Sequence, residues 1–271
     1  MVHWTLDDIP WHRFDAAAVD AEIVDVVKAA AMVELNGADY ATYLCNVFSG
    51  DPAFCAAARR WAAEEVQHGE ALGRWAELAD PGFDFAAAFG RFTEGYRLPL
   101  GATHSVRGSR AGELVARCVV EVGTSSYYSA LRDATREPVL SEICHRIAGD
   151  EFRHYKLFLE HLRRYQRSER LGLLRRLRVA IGRVVESGDD ELAFAFHCGT
   201  GTGAAYDRKR SIREYRRRAY PLYRFGHVAR ALRMVLRAVG MNPQGRLARV
   251  LARAGWRLLQ FRTRRLRPAA V

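Results

Sequence analysis

The most constraining feature of this 271-residue chain is a pattern of carboxylate and histidine residues that occurs twice. A lone Glu is followed, 31 residues later in the first copy and 30 in the second, by a Glu-x-x-His pair. Helical residues three apart share a face, so each pair can direct a carboxylate and an imidazole into one interior. The repeat therefore predicts a two-metal site between helices. Its six ligands would be Glu34, Glu65, His68, Glu121, Glu151 and His154.

Turn signals divide the first part of the chain into long helices. Ser49-Gly50-Asp51-Pro52 and Asp80-Pro81-Gly82 are typical of helix boundaries, and Glu137-Pro138 is typical of a helix start. Short links join the members of each helix pair, and a long connection separates the pairs, which predicts an all-α, ferritin-like four-helix bundle with a crossover connection. The expected long helices cover residues 15–48, 52–80, 111–135 and 138–165, with a shorter one at 83–98 and a loop at 99–109.

The acidic residues of the pattern lie within apolar stripes. Glu34 falls between Ala30 and Ala38, whereas the stripe around Glu121 is less regular. Any one of these glutamates taken alone could be an exposed helix residue. Four core-facing carboxylates without metal would repel one another and become protonated, whereas two divalent cations would neutralise them. Carboxylate and imidazole ligands without thiolate favour iron, with manganese as an alternative.

Other acidic and histidine residues near the pattern have weaker claims to a role. Glu64 and Asp150 precede His68 and His154 by four residues, and such acids can accept the distal imidazole N–H; the alternative is that they face solvent. A third Glu-x-x-His pair is predicted to face solvent, because its Glu lies nine residues before Glu151. The residues of that pair are Glu142 and His145.

The remaining histidines are not expected to bind metal. Four of them have no acidic partner at ligand spacing and are predicted to be surface or loop residues; these are His3, His12, His104 and His227. His161 lies two turns beyond His154 on the same helix face. It could line a cavity or be a packed polar residue.

The chain resembles the ferritin-like soluble di-iron proteins, and most of all their acyl-carrier-protein desaturase branch, over roughly residues 15–165. The resemblance lies in Trp61-Ala-Ala-Glu-Glu-Val-Gln-His68-Gly69 and in Ile147-Ala-Gly-Asp-Glu-Phe-Arg-His154. It implies two irons bridged by Glu65 and Glu151. The terminal ligands of one iron would be Glu34 and His68, and those of the other Glu121 and His154.

The same resemblance implies a role for Thr124, because the desaturase branch carries a hydroxyl residue near bound oxygen at this position. The alternative is a threonine bonded to its own helix. Rubrerythrins and bacterioferritins are similar too, but the chain lacks the Cys-x-x-Cys pairs of a full-length rubrerythrin and extends well beyond the bundle of a bacterioferritin.

The resemblance indicates an oxygen-activating oxidoreductase that desaturates or hydroxylates an organic substrate, for which an acyl chain is one candidate. Its electrons would come from an external ferredoxin or reductase, since the glycine-rich segment at residues 199–203 follows no strand and is interpreted as a helix break. An iron- or peroxide-handling protein and an RNA-modifying hydroxylase are the alternatives. A homodimer is expected.

Charge separates the sequence into two parts. Residues 163–271 hold 27 Lys and Arg against 7 Asp and Glu. The six predicted ligands all lie N-terminal to this basic part. We therefore predict a di-iron bundle over residues 1–168 and a basic helical extension over residues 169–271. The extension could pack on the bundle, or bind acyl carrier protein, an anionic membrane surface or RNA. Five cysteines without a paired motif, and no leader or membrane-spanning pattern, predict a cytoplasmic protein that could associate peripherally with a membrane.

Overall fold

Every regular element in the part of the chain that the structure describes is helical, which confirms the all-α prediction. This computed structural model describes residues 4–186, 190–201, 203 and 205–266. The α-helices are α1 (Ala21–Leu35), α2 (Gly37–Val47), α3 (Pro52–Ala79), α4 (Phe85–Gly95), α5 (Arg110–Ala134), α6 (Pro138–Glu169), α7 (Leu173–Glu186), α8 (Asp190–Thr200), α9 (Arg208–Ala219), α10 (Phe225–Ala238) and α11 (Arg246–Leu266).

Capping residues set the ends of the long helices close to where the sequence predicts them. The Asp51 carboxylate accepts a hydrogen bond from the Phe54 backbone N–H at 3.0 Å, and Pro52 occupies the first turn of α3. Ser109 caps α5 in the same way, and Glu137 caps α6. These side chains satisfy backbone N–H groups that have no partner inside the helix. The predicted boundaries of α3, α5 and α6 are therefore confirmed to within a few residues.

The prediction of one continuous helix over residues 15–48 is wrong. α1 ends at Leu35, and α2 begins at Gly37 after a break at Asn36. The Asn36 side-chain amide donates to a Glu191 carboxylate oxygen at 3.3 Å, and the Tyr40 hydroxyl donates to the other oxygen at 2.5 Å. Glu191 belongs to α8, so a carboxylate from a distant helix holds the break. The break also changes the helix phase.

The change of phase places Ala38 at the surface, although the sequence predicts it in the apolar stripe around Glu34. Gly37 lies at the buried side of the break instead. A Cβ atom at this glycine would lie 2.6 Å from the Cβ of Glu65, so only glycine permits the observed approach of α2 to α3. The Glu65 side chain therefore occupies the space beside Gly37.

The four helices that carry the predicted ligands pack in two pairs. α1 packs on α3, α5 packs on α6, and α3 also contacts α6. Helices from the C-terminal part of the chain surround them: α8 lies on α1, and the basic helices α10 and α11 lie on α5 and on α10 respectively. None of the described helices combines the length and the apolarity that a membrane span needs.

Among the described residues, two apolar clusters form the core, and the predicted ligands lie between these two clusters. On α3, Ala62 belongs to one cluster and Leu72 to the other, with Glu65 and His68 between them. The same change occurs on α6 between Ala148 and Tyr155, around the second Glu-x-x-His pair. A polar layer thus divides the apolar interior.

The fully buried Glu137 generates a prediction about stability. Its carboxylate accepts hydrogen bonds from the Val139 and Leu140 backbone N–H groups and from the Trp75 indole N–H, the last at 2.7 Å. We expect Glu137→Ala to lower the free energy of unfolding by about 3 kcal/mol, because it removes a helix cap and leaves a buried indole donor unpaired.

Urea denaturation followed by circular dichroism measures this change. The control is Asp84→Ala, which removes the exposed cap of α4 and should cost about 1 kcal/mol. Equal losses for the two variants would contradict the stabilising role given to the buried contacts of Glu137.

Candidate metal centre

The structure brings the six predicted ligands together in the interior. They form two groups of four residues, and within each group one potential ligand atom from every residue lies within 4.8 Å of the others. All six side chains are buried. The first group is Glu34, Glu65, His68 and Glu151, and the second is Glu65, Glu121, Glu151 and His154.

Helix geometry and close helix contact produce this convergence. Glu65 and His68 occupy one face of α3, and the last turn of α1 places Glu34 opposite them. A Cβ atom at Gly69 would lie 2.6 Å from the Leu35 backbone nitrogen, so this glycine lets α1 lie directly against α3. The motif glycine after His68 is therefore explained by helix packing.

The ligand atoms are close enough to share cations. His68 Nδ1 lies 3.4 Å from Glu34 Oε2 and 3.4 Å from Glu151 Oε1. In the second group, His154 Nδ1 lies 2.9 Å from Glu65 Oε1 and 3.7 Å from Glu121 Oε2. Both imidazoles thus direct Nδ1 toward the carboxylates.

These same atoms lack hydrogen-bond partners, although they are buried. Each of the six residues contributes at least one unsatisfied atom, namely Glu34 Oε2, Glu65 Oε1, His68 Nδ1, both carboxylate oxygens of Glu121, Glu151 Oε1 and His154 Nδ1. An unpaired buried polar atom is costly, and native proteins contain few of them. Oxygen and nitrogen lone pairs left free in one cluster are what divalent cations require, so these residues fit metal ions.

Two acids outside the six ligands orient the imidazoles, and they do so across helices. His68 Nε2 lies 3.0 Å from Asp150 Oδ2, and His154 Nε2 lies 2.7 Å from Glu64 Oε2. The sequence identifies both acids correctly but suggests partners on their own helices, which is wrong. An acid four residues before a histidine lies near it along the helix, but here the interface between α3 and α6 exchanges the partners.

This exchange fixes which nitrogen faces the cluster. Each Nε2 that donates its proton to a carboxylate leaves Nδ1 as the lone-pair donor of the neutral imidazole. Asp150 is itself held by the Trp4 indole N–H, which donates to Oδ2 at 2.7 Å, and by Arg153. The Trp4 ring also stacks on His68 with 6.0 Å between ring centroids. Trp4 has no sequence signal, because it lies 64 residues from His68 and outside the repeat.

Mutual proximity changes the acidity of the cluster residues in the absence of metal. Burial, followed by the neighbouring Glu34 carboxylate, raises the pKa of Glu151 to about 8. Burial, followed by the neighbouring Glu151 and Glu34 carboxylates, raises the pKa of Glu65 well above its usual value. Burial opposes protonation of His68 and His154, but the acids around each ring, which include Asp150 and Glu64, raise the pKa of both imidazoles well above the usual value. The cluster thus retains protons that bound cations would replace.

Two hydroxyl groups of α5 contact the acids directly. The Thr124 hydroxyl donates to Glu151 Oε2, and it also lies 3.3 Å from the Val120 carbonyl oxygen in its own helix. Thr124 therefore both contacts a predicted metal ligand and bonds to its own helix, the two environments considered for it from the sequence. The Tyr128 hydroxyl donates to Glu34 Oε1 at 2.6 Å, a contact that the irregular stripe around Glu121 did not suggest.

The histidines outside the two groups mostly follow the predictions. His145 is exposed, and Glu142 pairs with Arg146 away from the cluster. His161 is a partly buried residue that packs edge-on against Phe54 and lines a groove. His12 and His104 are exposed, while His3 lies outside the described residues.

His227 is an exception, since the prediction of a surface or loop position is wrong. It is 7% exposed in α10, and its Nε2 lies 3.0 Å from Asp133 Oδ2. Its acidic partner comes from α5, 94 residues away in the sequence, which is why spacing within one helix did not reveal it.

No family model matches the chain, and no curated protein matches it.

The first prediction for this centre concerns metal content. We expect the chain reconstituted anaerobically with Fe(II) or Mn(II) to hold two metal ions, because two four-residue groups are present. His68→Ala and His154→Ala should each lose at least one ion, whereas His145→Ala, in the third Glu-x-x-His pair, should keep both. Elemental analysis after gel filtration measures the ratio. One ion or none in a folded wild-type sample would refute the assignment.

The second prediction tests the exchanged acids. Loss of an acid that orients a metal-bound imidazole typically weakens metal affinity by roughly 10- to 100-fold. In a His68→Ala background, where the remaining ion depends on His154, Glu64→Ala should cause this loss and Asp150→Ala should not. A His154→Ala background should reverse the result.

Competition with a chromophoric chelator measures the affinities, and Glu142→Ala serves as a control that should change neither. If the ion held by His154 depended on Asp150, and the ion held by His68 depended on Glu64, the hydrogen bonds between α3 and α6 would not form in solution.

Proposed function

We propose that this protein is a non-haem di-iron oxidoreductase that uses oxygen and two external electrons to desaturate or hydroxylate an organic substrate. The observation that carries the proposal is the sharing of Glu65 and Glu151 by both four-residue groups. Carboxylates common to two groups are suited to bridge two cations, with Glu34 and His68 on one side and Glu121 and His154 on the other.

The helix arrangement supports assignment to the ferritin-like bundles. In those folds a lone Glu from each of two helices and a Glu-x-x-His pair from each of two others project inward. Here α1 and α5 supply the lone glutamates, and α3 and α6 supply the pairs. The long connection that contains α4 separates the two helix pairs, as a crossover would.

Iron is the proposed metal because the donors are carboxylates and imidazoles without thiolate, and manganese fits the same donors. When bound, two iron ions would supply the activation of oxygen. The protein's own contribution is to hold the ligands in place: Asp150 and Glu64 fix the imidazole tautomers, and Tyr128 holds Glu34. The two apolar clusters on either side keep water from the acids.

Thr124 is proposed to position a proton at the centre. Its hydroxyl donates to Glu151, one of the two shared carboxylates, so it can adjust the hydrogen bonding of that ligand without binding metal itself. A hydroxyl can also donate to, or accept from, a ligand beside Glu151 by rotating about one bond. This role agrees with the position of Thr124 in the family resemblance.

A basic groove gives a place for an acidic partner. It has a volume of about 1110 Å³ and lies between α6 and α10. Its cationic residues, which outnumber the single acid Glu160, are Lys156, Arg163, Arg164, Arg167, Arg230, Arg233 and Arg237. Arg163, Arg167 and Arg230 form no ion pair with another described residue. We propose that acyl carrier protein or the external reductant binds here, since complementary charge guides such encounters.

Oxygen consumption tests the proposed reaction class. The iron-loaded, reduced protein should consume oxygen, and repeated turnover should require a ferredoxin and its reductase, because the described part of the chain contains no electron-transfer module. Oxygen uptake is measured with an electrode, and the matched controls are His145→Ala, expected to be active, and His68→Ala, expected to be inactive.

The same reaction mixture then serves to identify the substrate. Acyl chains, free and attached to acyl carrier protein, and a metabolite extract are searched for products that have lost two hydrogens or gained one oxygen. Rapid iron oxidation with retention of many more than two irons per chain would instead indicate iron storage and contradict the proposed class.

A further inference from the structure

Helix α11 carries its large apolar residues on the outside of the molecule. Leu247, Val250, Leu258 and Phe261 are each between 49% and 60% exposed, and Leu251 is 37% exposed. At 100° per residue, these positions fall within one stripe along the helix. A contiguous apolar stripe at the surface of a folded protein marks a contact with something else.

The adjacent face of α11 holds the helix on the protein. Ala248 and Ala252 are 3% and 4% exposed, and a Cβ atom at Gly255 would lie 3.6 Å from a methyl carbon of Val228 in α10. Small residues and Trp256, whose ring contacts Phe225 of α10, thus face the protein, whereas the five residues of the stripe face outward. The stripe is therefore not part of the described core.

The charges of α11 are all positive. Its sequence contains seven arginines and no acid. Arg249, Arg253 and Arg257 are exposed beside the apolar stripe, and none of them forms an ion pair with another described residue. Arg265 lies over the Phe261 ring, with its guanidinium carbon 4.4 Å from the ring centroid. A cationic border thus runs along the exposed apolar surface.

We propose that α11 is an interfacial helix that lies flat on an anionic lipid membrane. Helices of this kind insert an apolar face among lipid headgroups while basic side chains remain at the level of the phosphates. At 1.5 Å per residue, α11 is about 30 Å long, so it can align several arginines with the membrane plane. The fit requires only the outward stripe and its arginine border, and it does not depend on the metal centre.

Charge and shape favour lipid over other occupants. A second copy of the chain would bring two acid-free, arginine-bordered helices together, which like charges oppose. Single-stranded RNA uses aromatic faces on which bases stack, whereas the stripe is aliphatic except for Phe261, which Arg265 covers. An acidic protein would satisfy the arginines, but the lipid interior also accepts the leucines.

Sedimentation of the full-length protein with vesicles tests the proposal. We expect binding to phosphatidylcholine vesicles that contain phosphatidylglycerol, little binding to phosphatidylcholine alone, and weaker binding as salt rises. Replacing Arg249, Arg253 and Arg257 with Gln should weaken partitioning roughly 100-fold, since each arginine near an anionic surface contributes about 1 kcal/mol. The matched control replaces three exposed arginines elsewhere, Arg59, Arg60 and Arg136, and should change partitioning less than twofold.

A second variant separates insertion from charge attraction. Leu247, Leu258 and Phe261 changed to Gln keep every charge, and this variant should bind anionic vesicles at least tenfold more weakly. Circular dichroism confirms that each variant is folded. The proposal is overturned if anionic vesicles do not bind the wild type, or if either α11 variant binds them as the wild type does. It is also overturned if polyuridylic acid binds the protein more tightly than the vesicles do.

Discussion

The interior of this protein is organised around the cost of placing four carboxylates next to one another away from water. Buried carboxylates are expensive unless they are paired, and Glu34, Glu65, Glu121 and Glu151 lie within one polar layer. The two imidazoles offset part of the charge, and the orphaned lone pairs leave room for cations to offset the rest. The helix packing, the glycine contacts and the surrounding hydrogen bonds all serve to hold these groups at distances they would not otherwise adopt.

The sequence is informative about this layer because its signals are local. A Glu-x-x-His pair places both side chains on one helix face whatever the rest of the chain does, and the apolar positions around it show that the face is buried. Helix boundaries at Pro52 and Pro138 are predictable for the same reason, since proline at a first turn and an acid before it act within a few residues.

The features that the sequence did not predict depend on contacts between distant segments. The break at Asn36 is held by Glu191 from α8, and His227 is buried by its contact with Asp133. The acids that orient His68 and His154 come from the partner helix, so spacing along one helix assigned them to the wrong imidazoles. In each case a side chain more than 80 residues away decides the local structure.

The crossed hydrogen bonds also bear on the order in which the protein matures. Asp150 lies 82 residues from His68, and Glu64 lies 90 residues from His154, so neither imidazole has its acid until α3 and α6 have docked. Closing such long loops is among the later and slower steps of folding. Before docking, each Glu-x-x-His pair can meet cations with either ring nitrogen, and afterwards only with Nδ1. Neither half of the repeat can therefore restrict cation binding to Nδ1 by itself during synthesis. The chain acquires this restriction only when α3 and α6 have packed together.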